Sequence, residues 1–179
     1  MNIIITILLV IAALIAAILL LGLFIKKDYF IEREVIINKP KQEVFNFIRL
    51  LRNQDSFSKW ANMDSAMKKD YSGTDGTVGF VSAWDSNQKN VGKGEQTIKK
   101  IIDGEKIYYD LHFMRPFESH ANASMSVASL SENQTKVKWN FSSSMKYPSN
   151  LMLLFMNMEK MLGDDLETGL WNLKQELDK

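Results

Sequence analysis

The residues able to do acid–base work cluster in one stretch: Asp110, His112, Arg115, Glu118 and His120. The chain has two histidines and no cysteine, so both histidines fall there. Thiol catalysis, disulfides and Cys-based zinc sites are excluded. Asp110 and His112 are two apart, which on a strand puts them on one face, opposite to Tyr109 and Phe113. That outward face is solvent, and a solvated group lacks the desolvation that tunes a general acid or base. Glu118 and His120 follow Pro116-Phe117, where a pocket mouth is the alternative to plain surface. The stretch reads as solvated surface and no catalytic residue is assigned. Asp164-Asp165 reads as a helix face, so no metal site is assigned either.

The apolar candidates are more numerous. Phe80, Trp84, Tyr109, Phe113 and Trp139 have inward parity on alternating runs, and Trp60, Phe155 and Met158 join them from helical segments. Such a set either fills a core or lines a cavity that is apolar with few polar groups. Of ten methionines, four lie between Met152 and Met161. Methionine adapts its shape to varied apolar partners, so these read either as gating residues or as core and rim packing. The glycines carry no phosphate chemistry. Gly73, Gly76 and Gly79 lie in a strand-to-strand turn, and Gly92-Lys93-Gly94 lacks the Ser/Thr and spacing of a phosphate loop. They read as turn and close-approach positions in a curved sheet.

These candidates sit in 179 residues of net charge +1. Nucleic acid is excluded as a partner, because no basic excess is available to neutralise phosphates. Residues 1–25 contain no charge, and from Ile3 to Ile25 only Thr6 and Gly22 are not hydrophobic. As a helix that run extends about 34 Å, enough to cross a hydrocarbon core of roughly 30 Å. A cleaved signal would need a basic start and a small-residue cleavage site, whereas the run ends in Leu23-Phe24-Ile25-Lys26-Lys27. Residues 1–27 are therefore expected to be a membrane anchor and 28–179 one domain. Lys26, Lys27 and Arg33 all follow the span, which by the positive-inside rule places that domain in the cytoplasm.

The elements that position the candidates follow from periodicity. A strand is expected over Phe30 to Ile37, then a helix from Pro40 to about Leu51 on Val44, Ile48 and Leu51. A short second helix is expected around Ser56 to Ala61. The period then alternates: Val78, Phe80 and Trp84; Ile107, Tyr109, Leu111 and Phe113; Ala121, Ala123, Met125 and Val127; Val137, Trp139 and Phe141. Turn signals at Gly73–Gly76, Asp103-Gly104 and Ser131–Asn133 separate the runs, which describes an antiparallel meander with one apolar face. After Tyr147-Pro148 the spacing from Leu151 to Leu177 predicts one amphipathic helix of about seven turns, weakened at Gly163 and Gly169.

A one-sided sheet and a one-sided helix must cover each other. The order β-α-α-β₆-α is that of the α+β helix-grip fold, with the sheet wrapped around the C-terminal helix. Several stretches resemble the START-like (SRPBCC) superfamily in its polyketide cyclase/dehydrase-type branch. They are Arg33–Asn38 into Pro40 and Glu43-Val44-Phe45, Trp60, Val91–Gln96, Leu111-His112-Phe113 with Pro116-Phe117, Thr135–Trp139, and Gly169–Lys174. The resemblance covers about residues 30–177. It implies a cavity between sheet and C-terminal helix used for hydrophobic ligands, and it transfers no activity. The reading is a membrane-anchored binder of a hydrophobic small molecule or lipid, needing no cofactor. A cyclase- or hydrolase-type enzyme and a ligand-free interaction module are the alternatives.

Overall fold

The structure, a computed structural model, describes residues 2–179. The apolar run forms helix α1 (Ile3–Gly22), with a mean hydropathy of 3.4 and its side chains clear of the rest of the protein. By length and composition it is able to cross a membrane. Only Gly22, in its last turn, is buried.

Strand β1 (Asp28–Ile37) follows, then α2 (Lys41–Arg49). Pro40 occupies the position just before α2, without a side-chain cap, and Glu43 lies in the first turn, while Val44, Phe45 and Ile48 form the buried stripe. A 3-10 turn (Leu51–Asn53), α3 (Gln54–Phe57) and another 3-10 turn (Trp60–Asn62) lead into six strands. These are β2 (Lys68–Ser72), β3 (Val81–Asp85), β4 (Lys93–Ile102), β5 (Lys106–Arg115), β6 (Ser119–Ser131) and β7 (Gln134–Ser144). All seven strands form one sheet in the order β1-β7-β6-β5-β4-β3-β2, each pair antiparallel. Register shifts at Lys93/Gly94, Ile98/Lys100 and Ser129/Ser131 add the local kinks that help a wide sheet curl. Helix α4 (Met158–Leu177) lies in the curl and packs mainly on β1, with Leu166, Leu170, Leu173 and Leu177 buried. Its end is clasped to the turn after β1. Asp178 accepts from the Asn38 backbone N–H (2.8 Å), from Asn38 Nδ2 (3.0 Å) and from Lys174 Nζ (2.7 Å). This is the helix-grip architecture expected from the element order.

Three expectations need correction. The last helix is not continuous from Leu151. A 3-10 segment (Ser149–Leu154) comes first, and α4 starts afresh at Met158, where Asn157 Oδ1 caps the Lys160 N–H at 2.9 Å. Apolar spacing of three or four residues suits a 3-10 turn as well as an α-helix, so periodicity hid the break. Phe155 falls in that break and is 87% exposed, away from the sheet–helix interface. The second short helix is likewise two pieces, divided at Ser58 and Lys59. Val78 belongs to the turn before β3 and is exposed, because β3 begins only at Val81.

Candidate functional site

On β5, β7 and β1, and near β3, inward residues are buried toward one end of the sheet and half-open toward the other, while those of β6 (Ala121, Ala123, Met125 and Val127) are buried throughout. On β5, Ile107 and Tyr109 are buried, whereas Leu111 and Phe113 are partly exposed. On β7 the change falls between Trp139 and Phe141; on β1, between Ile31 and Tyr29; near β3, between Phe80 and Trp84. The registers Tyr29↔Ser143, Ala121↔Ser143, Leu111↔Ala121 and Gly94↔Phe113 put all the half-open positions at the same end. There the rings touch in series across the sheet: Tyr29–Phe141 at 6.3 Å, Phe141–Phe113 at 6.5 Å and Phe113–Trp84 at 5.8 Å between centroids. Met158 shares a depression with Tyr29, and Trp60 and Leu162 are partly buried against the core.

The closed end is closed for identifiable reasons. Trp139 fills the space under α4, edge-on to Phe57 (5.7 Å) and to Trp60 (6.2 Å). It lies so near the helix that a Cβ on Gly169 would sit 2.7 Å from its ring. Gly163 has the Arg33 guanidinium over it, which Glu159 holds by its carboxylate (2.7 Å) and its carbonyl (3.2 Å). The two glycines that weaken α4 locally are thus where a sheet side chain passes beneath it. Gly94 plays the same part for the stripe. The Trp84 ring lies against it, 2.6 Å from an added Cβ, and Trp84 Nε1 donates to the Val91 carbonyl at 3.3 Å.

Of the positions proposed from sequence, Trp84, Phe113 and Met158 lie at the open end, and Trp60 is half-buried against Trp139. Phe80, Tyr109 and Trp139 lie in the buried floor, and Phe155 stands apart. Leu111 and Phe141, inward by the same parity, lie on this face as well, and Tyr29, Ser82 and Gln96 join them without having been singled out by the sequence. β1 starts at Asp28 rather than at the expected Phe30, an exposed outward residue, and Tyr29 shares the inward parity of Ile31. Ser82, Gln96 and Leu111 are neighbours in register, so two uncharged polar groups share the open face.

Among the described residues, the half-open positions named here include no carboxylate, histidine or lysine. Burial holds the Tyr29 hydroxyl above the usual tyrosine range, only partly offset by Ser143, so it stays a neutral donor. Tyr109 is pushed up further by burial, with Gln54 opposing; its hydroxyl and Gln54 Nε2 are buried without a hydrogen-bond partner. The titratable stretch lies on the outer face, as its parity predicts. His112 and His120 stack at 4.4 Å, His112 Nε2 is 3.3 Å from Glu118, and Asp110 pairs with Lys99. Glu118 and His120 therefore sit on the outer face rather than at a pocket mouth. Arg115 pairs with Asp85 and Asp165 with Lys59. Among the described residues no group of three or more acidic or histidine side chains is placed to hold a metal.

Two depressions flank the open end. One, of about 340 Å³, is polar and lined by Asp64, Lys68, Asp85, Asn87, Gln88 and Arg115. The other, of about 520 Å³, runs between the start of β1 and the break before α4, with Ile25, Tyr29, Leu154, Phe155 and Met158 in its wall.

Neither the protein-family models nor the curated proteins return a match to this chain. Solved structures do. Norcoclaurine synthase from Thalictrum flavum, in complex with dopamine and hydroxybenzaldehyde, superposes with a TM-score of 0.62 at 8% identity, over 87% of this chain and 91% of that one. The Aha1 dimer from Colwellia psychrerythraea gives 0.58 at 16% identity, over 84% and 96%. The di-domain ARO/CYC BexL of the BE-7585A biosynthetic pathway gives 0.59 at 13% identity, over 85% of this chain and 50% of its own. Identities this low speak for the fold alone. The chain has the helix-grip fold of the Bet v 1-like, START-like (SRPBCC) proteins, preceded by an apolar N-terminal helix.

Proposed function

We propose that residues 1–27 anchor this protein in a membrane and that residues 28–179 bind a hydrophobic small molecule or lipid on the open half of the concave face. Trp84, Phe113, Trp60 and Met158 contact the ligand, and Phe80, Tyr109 and Trp139 form its floor. The observation that carries this reading is the burial gradient. A core sealed by Trp139 at one end gives way to a continuous stripe of half-exposed rings, the chemistry of an apolar binding surface. Ser82, Gln96 and the neutral Tyr29 hydroxyl provide the few polar contacts that orient a ligand. The norcoclaurine synthase neighbour, which holds two small aromatic molecules, is consistent with this use of the fold. A cyclase- or hydrolase-type reaction has less support, since it needs an acid–base group on this face and the charged candidates lie outside it. Lys26 and Lys27, exposed directly after the helix, favour a cytoplasmic domain.

Native mass spectrometry of the full chain purified in mild detergent tests the reading. Wild type is expected to retain a lipid-sized adduct that a folded Trp84→Ala/Phe113→Ala double variant loses. Lipids bound only around α1 would survive in both. Equal retention by the two proteins would refute binding at the stripe.

A further inference from the structure

The 3-10 segment Ser149–Leu154 is built onto the end of the apolar helix. Asn150 is fully buried there, and its Nδ2 donates to the carbonyls of Gly22 (2.7 Å) and Ile25 (3.2 Å). The Gly22 carbonyl is the last of α1 and has no partner further along the helix, and the Ile25 carbonyl lies three residues beyond it. Leu151 and Tyr147 press on Gly22 so closely that an added Cβ would meet them at 3.1 and 3.2 Å. The segment thus cannot move independently of the last turn of α1.

On this locked segment and just after it, Met152 (48% exposed), Leu154 (59%) and Phe155 (87%) are exposed, as is Phe24 (87%) two residues past α1. Exposed Lys26 and Lys27 follow Phe24, exposed Lys146 and Lys160 flank the segment in sequence, and Lys26 lines the depression together with Asp28 and Glu159. Glu159, the nearest acid in the following helix, is occupied by Arg33. Exposed aliphatic and aromatic groups flanked by lysines in sequence suit the boundary between acyl chains and anionic headgroups. An exposed Phe next to a span end has no comparable partner in water.

We infer that Phe24, Met152, Leu154 and Phe155 form a second membrane contact, inserted at headgroup depth in the bilayer that α1 crosses. It fixes how the domain stands on the membrane. The 520 Å³ groove between Tyr29 and Phe155 then opens onto lipid, and a hydrophobic ligand enters from the bilayer rather than from water. This inference rests on the anchoring half of the proposed function.

The natural absence of cysteine allows a direct test. Leu14→Cys, Phe155→Cys and Ser131→Cys full-length chains, each carrying one environment-sensitive fluorophore, are reconstituted in phosphatidylcholine/phosphatidylglycerol vesicles. Nitroxide-bearing lipids report depth. Phe155 is 87% exposed, so its replacement leaves the core intact. Ser131 is the remote control, since it lies beyond the far end of the ten-residue β1 pairing, about 30 Å away at 3.3 Å per residue. Residue 14 is expected to be quenched most by nitroxides deep in the acyl chain. Residue 155 should be quenched by shallow ones, by about two-fold or more, and residue 131 by neither. If residue 14 is quenched while residue 155 behaves like residue 131, the second contact is overturned and the anchor stands. If residue 14 is unquenched, the anchor itself fails and this inference falls with it.

Discussion

Replacing Gly169 by alanine should destabilise the protein, although helix propensity alone says the opposite. In a helix interior Gly→Ala is favourable by about 1 kcal/mol. Against that stands a Cβ placed 2.7 Å from the Trp139 ring, where carbon pairs settle at roughly 3.5–4.0 Å. Helix or ring must therefore shift by about 1 Å, well within the range where a close-packed interior responds with strain. Trp139 is 4% exposed and pinned edge-on by Phe57 and Trp60, so it has no free direction. Overpacking costs about 1–3 kcal/mol, and part of two aromatic pairs worth ~0.5–1.5 kcal/mol each is lost. After subtracting the propensity gain, the net loss is about 1–3 kcal/mol. Gly163→Ala is the internal control. There the obstacle is the tip of Arg33, which is able to swing away at the loss of a partly exposed ion pair of up to ~1 kcal/mol, offsetting the same propensity gain. Urea unfolding of the detergent-solubilised chain, followed by tryptophan emission, reads both. A Gly169→Ala protein as stable as wild type would refute the close packing of Trp139 under α4. Trp139→Leu should abolish most of the Gly169→Ala penalty in a double-mutant cycle.

The remaining expectations concern the two ends of the concave face, its tyrosines and the orientation of the domain. Leu166→Ala should cost roughly 2–5 kcal/mol in the same denaturation, as for a fully buried leucine. Met158→Trp, at the half-open rim, should leave stability within about 1 kcal/mol of wild type while reducing retained ligand; unfolding as severe as Leu166→Ala would mean a filled rim. Burial, then the hydrogen bond to Asp55 and its charge, push Tyr71 up to about 12. The folded protein therefore holds that proton more tightly than the unfolded chain, whose tyrosine titrates near 10. The stability from this pair is complete below about pH 10 and lost as pH rises from about 10 to 12, and Tyr71→Phe should make the alkaline limb shallower by that share, the buried Tyr29 and Tyr109 supplying the rest. A spectrophotometric titration in which all five tyrosines ionise together in the folded protein would contradict it. A thiol introduced at Ser131 should be shielded from an impermeant reagent in intact cells and react after lysis; labelling of intact cells would put the domain outside.

Much of this was legible in the sequence because burial leaves a one-dimensional trace. A charge-free run of membrane length, alternation in Ile107–Phe113, Ala121–Val127 and Val137–Phe141, and leucines every three or four residues along α4 each record which side faces apolar surroundings. The element order then leaves few ways to cover one sheet with one helix, and the outward parity of Asp110 and His112 already separated the histidines from the apolar face. Tertiary structure alone decided how far down each strand the covering reaches. Parity makes Tyr109 and Phe113 equivalent; only the placement of Trp139 against Gly169, and the late start of α4 at Met158, leaves Phe113 half-open and Tyr109 sealed. The same holds for Phe155. Its spacing from Leu151 and Met158 fits a continuous helix, but Asn150 binds carbonyls more than a hundred residues earlier in the chain and Asn157 opens a new helix, turning Phe155 outward. Periodicity records the local repeat of the backbone, whereas the end of a helix here is set by a distant carbonyl that no local pattern contains.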